Sequence, residues 1–319
     1  MRLNIAQDFF LKNRFAVMHI ARDFLVTDLD NRIQTVDYYV ETLGVSRGTI
    51  QNAMQFLVEQ KCVTTYFRGH LGSFLIAKDN AKLWEYSGFG ILSGAMAIPL
   101  DTIASGLATG VCDCMKAEDI AFNCVFVQGS KIRIRGLRQG KYDFIVASNL
   151  TEQLILKEHE DIEKVLSLPN CHYSGRYLLM FSNSEKTQIE DGMTLAVDPT
   201  SIDQVYLSEL VSEGKDTKIL ESTYLNTISM VVNGEADVTI SRSDAAAHFD
   251  MDYREAHFKE ISLPGNYTST DIVRFSGAVV LVSKSAYGLV EILRKVLRPT
   301  VIAHAQRQVM NNLRTPSYY

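Results

Sequence analysis

The spacing of apolar residues near the start of the chain predicts two short helices joined by a tight turn. The first helix is expected over residues 36–43, after Thr35, whose hydroxyl suits a helix N-cap. Gly44 can take the positive φ of a sharp turn, and Ser46 is placed to cap the second helix. The pattern therefore predicts a helix-turn-helix.

The second helix of the pair is predicted from Arg47 to about Gln60. Its apolar residues recur at the i, i+3, i+4 and i+7 positions of a buried stripe: Ile50, Ala53, Met54 and Leu57. Polar side chains lie off that stripe: Arg47, Thr49, Gln51, Asn52 and Gln55. The helix is thus expected to have one buried face and one polar face.

Alternating residues then predict a two-stranded hairpin, or wing, that flanks the polar face. Its strands are expected over residues 63–67 and 73–76, joined by a glycine-bearing tip. Arg68 and His70 lie at that tip. Together, the two helices and the hairpin predict a winged helix-turn-helix domain.

This segment resembles the GntR-type winged-helix repressors. The shared residues keep the family's spacing from helix to wing: Leu43-Gly44-Val45-Ser46-Arg47, Thr49-Ile50, Ala53-Met54, Leu57, Val63, Gly69, Gly72 and Ser73-Phe74-Leu75. The resemblance implies binding to a double-stranded DNA operator through these candidate contacts: Thr35, Ser46, Arg47, Thr49, Gln51, Asn52, Arg68 and His70. Two positions depart from the family, because Asp37 and Gln51 stand where it carries arginines.

Net charge does not by itself indicate a nucleic-acid partner. Residues 1–80 contain nine Lys or Arg and eight Asp or Glu, a net charge of +1, and the whole chain carries −5. Neutralisation of DNA phosphates would then depend on clustering of Arg47, Arg68 and Arg32. The alternative is a helical domain that contacts only proteins, and the exposure of Arg47 and Arg68 distinguishes the two.

The composition is that of a soluble globular chain with room for two or three domains. Of its 319 residues, 46% are hydrophobic and 22% are charged. Asp8, Lys12 and Arg14 interrupt the early apolar run, so a cytoplasmic protein with no secretory segment or membrane span is expected. Five cysteines lack metal-finger spacing, which predicts reduced thiols and no metal or other cofactor.

A faint internal repeat predicts two similar α/β units in the remaining chain. Residues 137–148 are echoed by residues 231–241, and in each an apolar helix end meets a glycine, Gly140 or Gly234. The glycine suits the left-handed position that terminates a helix. An Asp and an apolar run follow, which is typical of a buried parallel strand.

The order of these pieces resembles the type 2 periplasmic-binding-protein fold. The resemblance is carried by Gly192-Met193-Thr194-Leu195-Ala196-Val197-Asp198-Pro199-Thr200-Ser201 and by Val232-Asn233-Gly234-Glu235-Ala236-Asp237-Val238. Taken with the winged helix, the whole chain resembles the YhfZ family of transcriptional regulators. That resemblance implies DNA binding and supplies no effector.

These resemblances imply an α+β winged helix-turn-helix domain over residues 1–80 and an α/β two-lobed, type 2 periplasmic-binding-protein-like domain over residues 81–319. In this fold one lobe is built from two stretches of chain. The expected parts are lobe I at about 85–175 and 260–297, lobe II at about 180–256, and C-terminal helices within 289–313. Those helices are expected to seal lobe I or to pair with a second subunit.

A ligand is expected in the cleft between the lobes, because ligands of open α/β sheets bind at the carboxyl ends of strands. The candidate residues follow predicted strands: Ser93, Gly94, Ser130, Ser148, Asn149, Asp198, Thr200, Ser201, Ser241 and Arg242. Helix N-termini at these loops favour a small anionic metabolite, with Arg242 as its charge partner. The alternative is that the serines only cap helices and Arg242 forms a surface ion pair.

Catalysis is the rival class of function, because the same fold hosts enzymes. The chain has no HExxH, GxSxG or glycine-rich P-loop pattern, and Cys171 and His172 are neighbours that point to opposite faces of an extended segment. We therefore predict a DNA-binding transcriptional regulator that is not an enzyme and acts as a homodimer, since one recognition helix rarely gives enough affinity. The alternative is an enzyme or small-molecule carrier whose winged helix contacts proteins.

Overall fold

The computed structural model describes residues 2–262, 273–286 and 288–318, with side chains from Lys12 onward. The chain forms two compact units. Unit 1 comprises Met1–Leu92, Met115–Phe122 and Tyr287–Leu297. Unit 2 comprises Ser93–Cys114, Asn123–Ala286 and Arg298–Tyr319.

We label the helices α1 (Arg2–Val26), α2 (Val36–Leu43), α3 (Arg47–Glu59), α4 (Asn80–Ser87), α5 (Thr102–Ala117), α6 (Ser130–Arg138), α7 (Asn149–Glu158), α8 (Ile202–Val211), α9 (Tyr224–Val232), α10 (Ser243–Ala246), α11 (Met251–His257), α12 (Leu289–Val296) and α13 (Pro299–Met310). The strands are β1 (Val63–Phe67), β2 (Ser73–Lys78), β3 (Leu92–Met96), β4 (Phe122–Phe126), β5 (Phe144–Ser148), β6 (Ile162–His172), β7 (Tyr177–Phe181), β8 (Thr194–Val197), β9 (Lys218–Glu221), β10 (Val238–Arg242), β11 (Phe258–Glu260) and β12 (Gly277–Ser283). Within the described residues, no helix is long and apolar enough to cross a membrane.

Unit 1 contains the helix-turn-helix and the wing that the sequence predicts. Gly44 ends α2 with a φ of 64°, and Thr35 Oγ1 caps the start of that helix by accepting a hydrogen bond from Tyr38 N at 3.1 Å. Ser46 Oγ caps α3 in the same way, accepting from Thr49 N at 3.2 Å. The wing strands β1 and β2 pair antiparallel. These local predictions are confirmed.

Helix α1 is the part of unit 1 that the sequence analysis did not predict. It packs against α3 and α4, and it buries Ala16, Ile20 and Phe24 at four-residue intervals. Lys12 and Arg14, which interrupt the apolar run in the sequence, are exposed. In the facing stripe of α3, three predicted positions are buried and the fourth is half-buried: Ile50, Ala53, Leu57 and then Met54.

Unit 2 is built on two five-stranded sheets, one for each lobe. The strand order is β4-β3-β5-β12-β6 in lobe I and β11-β7-β10-β8-β9 in lobe II. Strands β3 and β5 are parallel, and so are β8, β9 and β10. Strand β12 arrives from late in the chain and lies between β5 and β6, antiparallel to both. Lobe I is therefore built from two stretches of chain.

The internal repeat corresponds to equivalent places in the two lobes. Gly140 follows α6 and precedes β5, and Gly234 follows α9 and precedes β10, with φ angles of 68° and 73°. Both strands lie inside their sheets and their residues are mostly buried. The repeat therefore marks one helix-to-strand connection used twice.

The two C-terminal helices have different surroundings. Helix α13 packs against β6 and crosses α5 so closely that a Cβ atom at Gly110 would lie 2.7 Å from Ile302 Cα. It therefore seals lobe I. Helix α12 instead belongs to unit 1, where it contacts α1, although its residues had been expected in lobe I. Residues 263–272 of that expected stretch lie outside the described residues. The five cysteines are free thiols, as predicted, and four of them are buried.

Candidate DNA-binding face and interlobe cavity

The first half of α3 presents polar side chains that the sequence analysis assigns to DNA contact. Arg47 opens the helix with 59% of its side chain exposed, and Gln51 and Asn52 are exposed one turn later. Thr49 is half-buried, and its hydroxyl lies 2.9 Å from Ser46 Oγ. Ser46 and Thr49 thus hold the start of the helix, while the other three side chains are open to a partner.

Arg47 has an acidic partner within the same domain. Its Nη1 forms an ion pair with Oδ1 of Asp37, which lies in the first turn of α2 and has 69% of its side chain exposed. Exposed ion pairs contribute only about 0–1 kcal/mol, so a DNA phosphate or base can compete for the guanidinium. The acid at position 37, where the GntR-type pattern has an arginine, therefore contacts the start of α3.

The wing tip groups basic side chains beside this helix-turn-helix. Arg68 and His70 are exposed there, and Arg68 Cζ lies 4.5 Å from the centre of the Phe74 ring. The exposed Arg32 packs at the same tip, because a Cβ atom on Gly72 would lie only 2.8 Å from Arg32 Nε. The positive charge of the wing is thus local and does not show in the net charge of the domain.

A cavity of about 50 Å³ lies between the two lobes of unit 2. The lobes touch beside it, where Lys131 N donates to Thr200 O at 3.0 Å and Ile202 N donates to Ser130 Oγ at 2.9 Å. The charged residues that line the cavity are Arg133, Asp203 and Arg242. Its aromatic lining residues are Tyr173, Tyr177 and Tyr224. Three residues of the predicted ligand set also line it: Ser130, Ser201 and Arg242.

Arg242, the predicted charge partner of an anion, is paired with carboxylates of the chain itself. Its side chain is 14% exposed, and its Nη2 lies 3.1 Å from Asp244 Oδ2 and 3.4 Å from Asp101 Oδ2. Burial and a hydrogen bond with Asp244 raise the pKa of the Asp101 carboxyl to about 6. The guanidinium also lies over the Tyr224 ring, 5.2 Å from its centre. Asp101 lies in lobe I and Arg242 lies in lobe II, so the ion pair between them joins the lobes.

A second internal carboxylate, Asp203 in the first turn of α8, contacts the start of α7, where part of the ligand site was predicted. Asp203 accepts hydrogen bonds from Ser148 Oγ at 2.8 Å, Thr151 Oγ1 at 2.7 Å and Tyr177 OH at 2.5 Å. Burial and this carboxylate together raise the pKa of the Tyr177 hydroxyl well above its usual range. Ser148 also caps α7 through Thr151 N. The hydroxyl of Ser148 in lobe I thus donates its hydrogen bond to a carboxylate of lobe II.

Two predicted ligand residues are structural parts of strand β3. Ser93 N donates to Asp143 Oδ2 at 2.7 Å, which joins β3 to the start of β5. Gly94 packs so closely on the Phe144 ring that a Cβ atom would lie 2.3 Å from it. Neither residue lines the cavity.

The remaining predicted ligand residues do not line the cavity. Asn149 Nδ2 donates to Arg274 O at 2.9 Å. Asp198 accepts from Thr200 N at 2.8 Å and from Thr200 Oγ1 at 2.7 Å, which fixes the turn before α8. Ser241 is buried within β10, next to Arg242.

Sequence reasoning missed five of the six charged and aromatic residues that line the cavity: Arg133, Tyr173, Tyr177, Asp203 and Tyr224. One signal was available, because Tyr173 and Tyr177 flank the crossing from β6 in lobe I to β7 in lobe II. Polar aromatic residues at such a crossing lie where the two lobes meet. Arg133 gave no comparable signal, since a basic residue within a short basic helix reads as a solvent-exposed one.

Comparison with known proteins places most of the chain in one family. Residues 79–318 match the family model described as the YhfZ C-terminal domain. The chain belongs to the YhfZ family. Residues 29–75 of this YhfZ-family protein match a helix-turn-helix domain model, which confirms the N-terminal motif. The likeness to GntR-type repressors in particular stays a prediction.

Relatives of the YhfZ family share the whole length or the fold. The Escherichia coli (strain K12) protein named "Uncharacterized protein YhfZ" is 27% identical over 316 residues, which are 97% of this chain and 99% of that protein. The crystal structure of YhfZ from Shigella flexneri has a TM-score of 0.58 at 21% identity, covering 75% of this chain and 98% of that one. The Bordetella pertussis BvgS periplasmic VFT2 domain has a TM-score of 0.48 at 13% identity, covering 73% and 98%. The Shigella likeness shows the same α/β fold.

Proposed function

We propose that this YhfZ-family protein is a transcriptional regulator that binds a double-stranded DNA operator through α3 and the wing. The exposed polar face of α3 carries the proposal: Arg47, Gln51 and Asn52 are exposed beside a wing with basic side chains at its tip. In helix-turn-helix proteins the start of the second helix meets base edges in the major groove. Arginine and amide side chains are the groups that read guanine and adenine there.

The same proposal assigns the C-terminal domain to sensing a small anionic metabolite in the interlobe cavity. Two guanidinium groups and one carboxylate line that cavity, and a guanidinium group attracts an anion. The protein would act in the cytoplasm. It would be a homodimer, because two half-sites supply the affinity that a single recognition helix lacks. It would have no enzymatic activity.

A second candidate function is a carrier or enzyme whose winged helix contacts another protein. The wing favours this alternative in one respect, because Tyr66 and Phe67 are 60% and 69% exposed. Exposed aromatic side chains are enriched in protein interfaces. The same two side chains would suit the dimer contact of a regulator.

The test is selection of binding sites from a random duplex pool, followed by fluorescence anisotropy on the selected duplex. Arg47→Ala should weaken binding by about 1–3 kcal/mol and relax the preference at one base position per half-site, because a bidentate contact to guanine is lost. Lys215→Ala is the matched control, since it removes one exposed positive charge from unit 2.

A second variant separates base reading from phosphate contact. Arg68→Ala should weaken binding equally on selected and scrambled duplexes and lower the salt slope by about one unit per lost phosphate contact. Failure of the wild-type protein to enrich any duplex would favour the protein-contact function. Unchanged affinity of the folded Arg47→Ala, Arg68→Ala double variant would exclude this face as the DNA-binding surface.

A further inference from the structure

Arg133 is a buried cation that has no counter-ion among the described residues. The residue is 2% exposed on α6 and lines the interlobe cavity. Its Nη1 donates to Val127 O at 2.7 Å and its Nη2 donates to the hydroxyl of Tyr173. Its Nε has no hydrogen-bond partner, and no carboxylate of the described residues pairs with it. Burying a charge without a counter-ion costs free energy unless a bound ligand neutralises that charge.

The other charged side chains that line the cavity already have partners within the chain. Arg242 has Asp101 and Asp244 as counter-ions, although its Nε, like that of Arg133, has no hydrogen-bond partner. Asp203 accepts three side-chain hydrogen bonds. A ligand anion would therefore gain little from Arg242 and would be repelled by the Asp203 carboxylate. Arg133 is the cation that remains to be neutralised.

The size and lining of the cavity limit what can occupy it while the lobes are in contact. One water needs about 10–15 Å³ of cavity volume. A cavity of about 50 Å³ therefore holds roughly three to five waters, or a ligand of similar size. Ile98, Leu100 and Ile240 form an apolar part of the wall. The carboxylate of Asp203 disfavours a second negative charge. A single anionic group on a short apolar body fits these conditions.

We propose that Arg133 binds the carboxylate of a short-chain monocarboxylic acid in the interlobe cavity. The planar guanidinium can offer parallel N–H groups to the two carboxylate oxygens, and the apolar wall receives the short alkyl part. This proposal rests on the ligand-sensing role proposed for the C-terminal domain and does not depend on DNA binding. It replaces Arg242 by Arg133 as the residue that recognises the anion.

The experiment is isothermal titration of the full chain with sodium acetate and sodium propionate, with sodium chloride and inorganic phosphate as comparison salts at equal ionic strength. We expect saturable binding of acetate or propionate by the wild-type protein. Arg133→Lys keeps the charge but loses the planar fork, and it should weaken binding at least tenfold. Arg135→Ala is the matched control, because it removes an exposed arginine from the same helix and should leave binding unchanged.

Ala97→Leu provides a variant that keeps Arg133 and fills the cavity, and it should abolish binding even if Arg133→Lys does not fold. Equal acetate affinity in either of these variants and the wild type would overturn the proposal. Saturable binding of phosphate but of neither carboxylate would overturn the ligand class, and no binding of any probe would overturn the site. A wild-type protein that binds acetate but enriches no duplex would keep this site and exclude the regulator function.

Discussion

Asp37 forms the ion pair with Arg47 at the start of α3, and both side chains are exposed. The carboxylate lies close to where a DNA phosphate would approach, so it opposes binding both by occupying the guanidinium and by its own charge. An exposed ion pair such as this one contributes about 0–1 kcal/mol, so its loss should change the free energy of DNA binding by no more than about that amount. The residue therefore sets the strength of the proposed DNA contact.

We predict that Asp37→Asn tightens binding to the selected duplex by up to about fivefold, which corresponds to about 1 kcal/mol. Fluorescence anisotropy at fixed salt measures the change. Glu41→Gln is the control, since it removes an exposed acid from the same helix that is not paired with Arg47. An equal gain in both variants would assign the effect to net charge. Weaker binding by Asp37→Asn would show that the carboxylate positions Arg47 for the duplex.

Asp101 gives unit 2 a pH dependence whose sign follows from its raised pKa. Burial and the hydrogen bond with Asp244 raise the pKa of the Asp101 carboxyl from 3.8 to about 6. Between these values the folded state binds more protons than the unfolded state, so the free energy of unfolding falls as pH rises from about 4 to about 6. The stability present below pH 4 is thus lost above pH 6.

Asp101→Asn should flatten this part of the pH profile by an amount on the order of 2 kcal/mol, because an amide does not titrate. Urea denaturation of both proteins from pH 4 to pH 8 measures the difference. Asp143 also has a raised pKa, through burial, and remains in the variant, so it cancels in the comparison. Parallel profiles for the two proteins would show that Asp101 does not hold a proton in the folded state.

Among the elements, α5 and α13 cross with little room for change. A Cβ atom at Gly110 would lie 2.7 Å from Ile302 Cα and 2.9 Å from Ile302 O, and backbone atoms cannot move aside as a flexible side chain can. This close approach seals lobe I with α13. Gly48 is the contrasting glycine, because on α3 its Cβ would meet only Ser46 Oγ at 4.0 Å.

We predict that Gly110→Ala destabilises the protein by about 1–3 kcal/mol through overpacking. Gly48→Ala should be neutral or stabilising by up to about 1 kcal/mol, since alanine favours a helix over glycine. Thermal unfolding of both variants gives the comparison, and helix propensity acts in the same direction in each. If Gly110→Ala unfolds at the temperature of Gly48→Ala or above, the helices are not in close contact at this crossing.

On the scale of the whole molecule, the chain passes between unit 1 and unit 2 five times. Such repeated covalent links offer a route by which a ligand in unit 2 can influence the proposed DNA-binding domain. We predict that saturating acetate changes the affinity for the selected duplex by about 5- to 150-fold, a coupling of about 1–3 kcal/mol, and that DNA changes acetate affinity by the same factor.

Anisotropy titrations with acetate and with chloride at equal ionic strength test this coupling. The Ala97→Leu variant, in which acetate binding should be abolished, should lose the acetate effect while keeping its own DNA affinity. Superimposable titrations of the wild-type protein in the two salts would show that a ligand in the cavity does not change the affinity for DNA. A change that persists in the variant would come from another anion site.

The sequence by itself determined the parts of this protein that depend on neighbours a few residues apart. Thr35, Gly44 and Ser46 set the ends of α2 and α3 because caps and positive-φ turns are local interactions. The glycines that follow α6 and α9 located the repeated connection for the same reason. The order of strands and helices also sufficed to identify a two-lobed domain with a cleft.

Only the tertiary structure decided which charges are paired. Arg242 and Ser148 were sound candidates from the sequence, yet Asp101 and Asp203 reach them from distant parts of the chain. The partners of α1 and α12 were hidden likewise, because periodicity shows which face is buried but not what covers it. Arg133 became a candidate only once its burial, and its lack of a carboxylate among the described residues, could be seen together. Pairing and burial arise from long-range contacts, and these are properties of surfaces that meet in the fold.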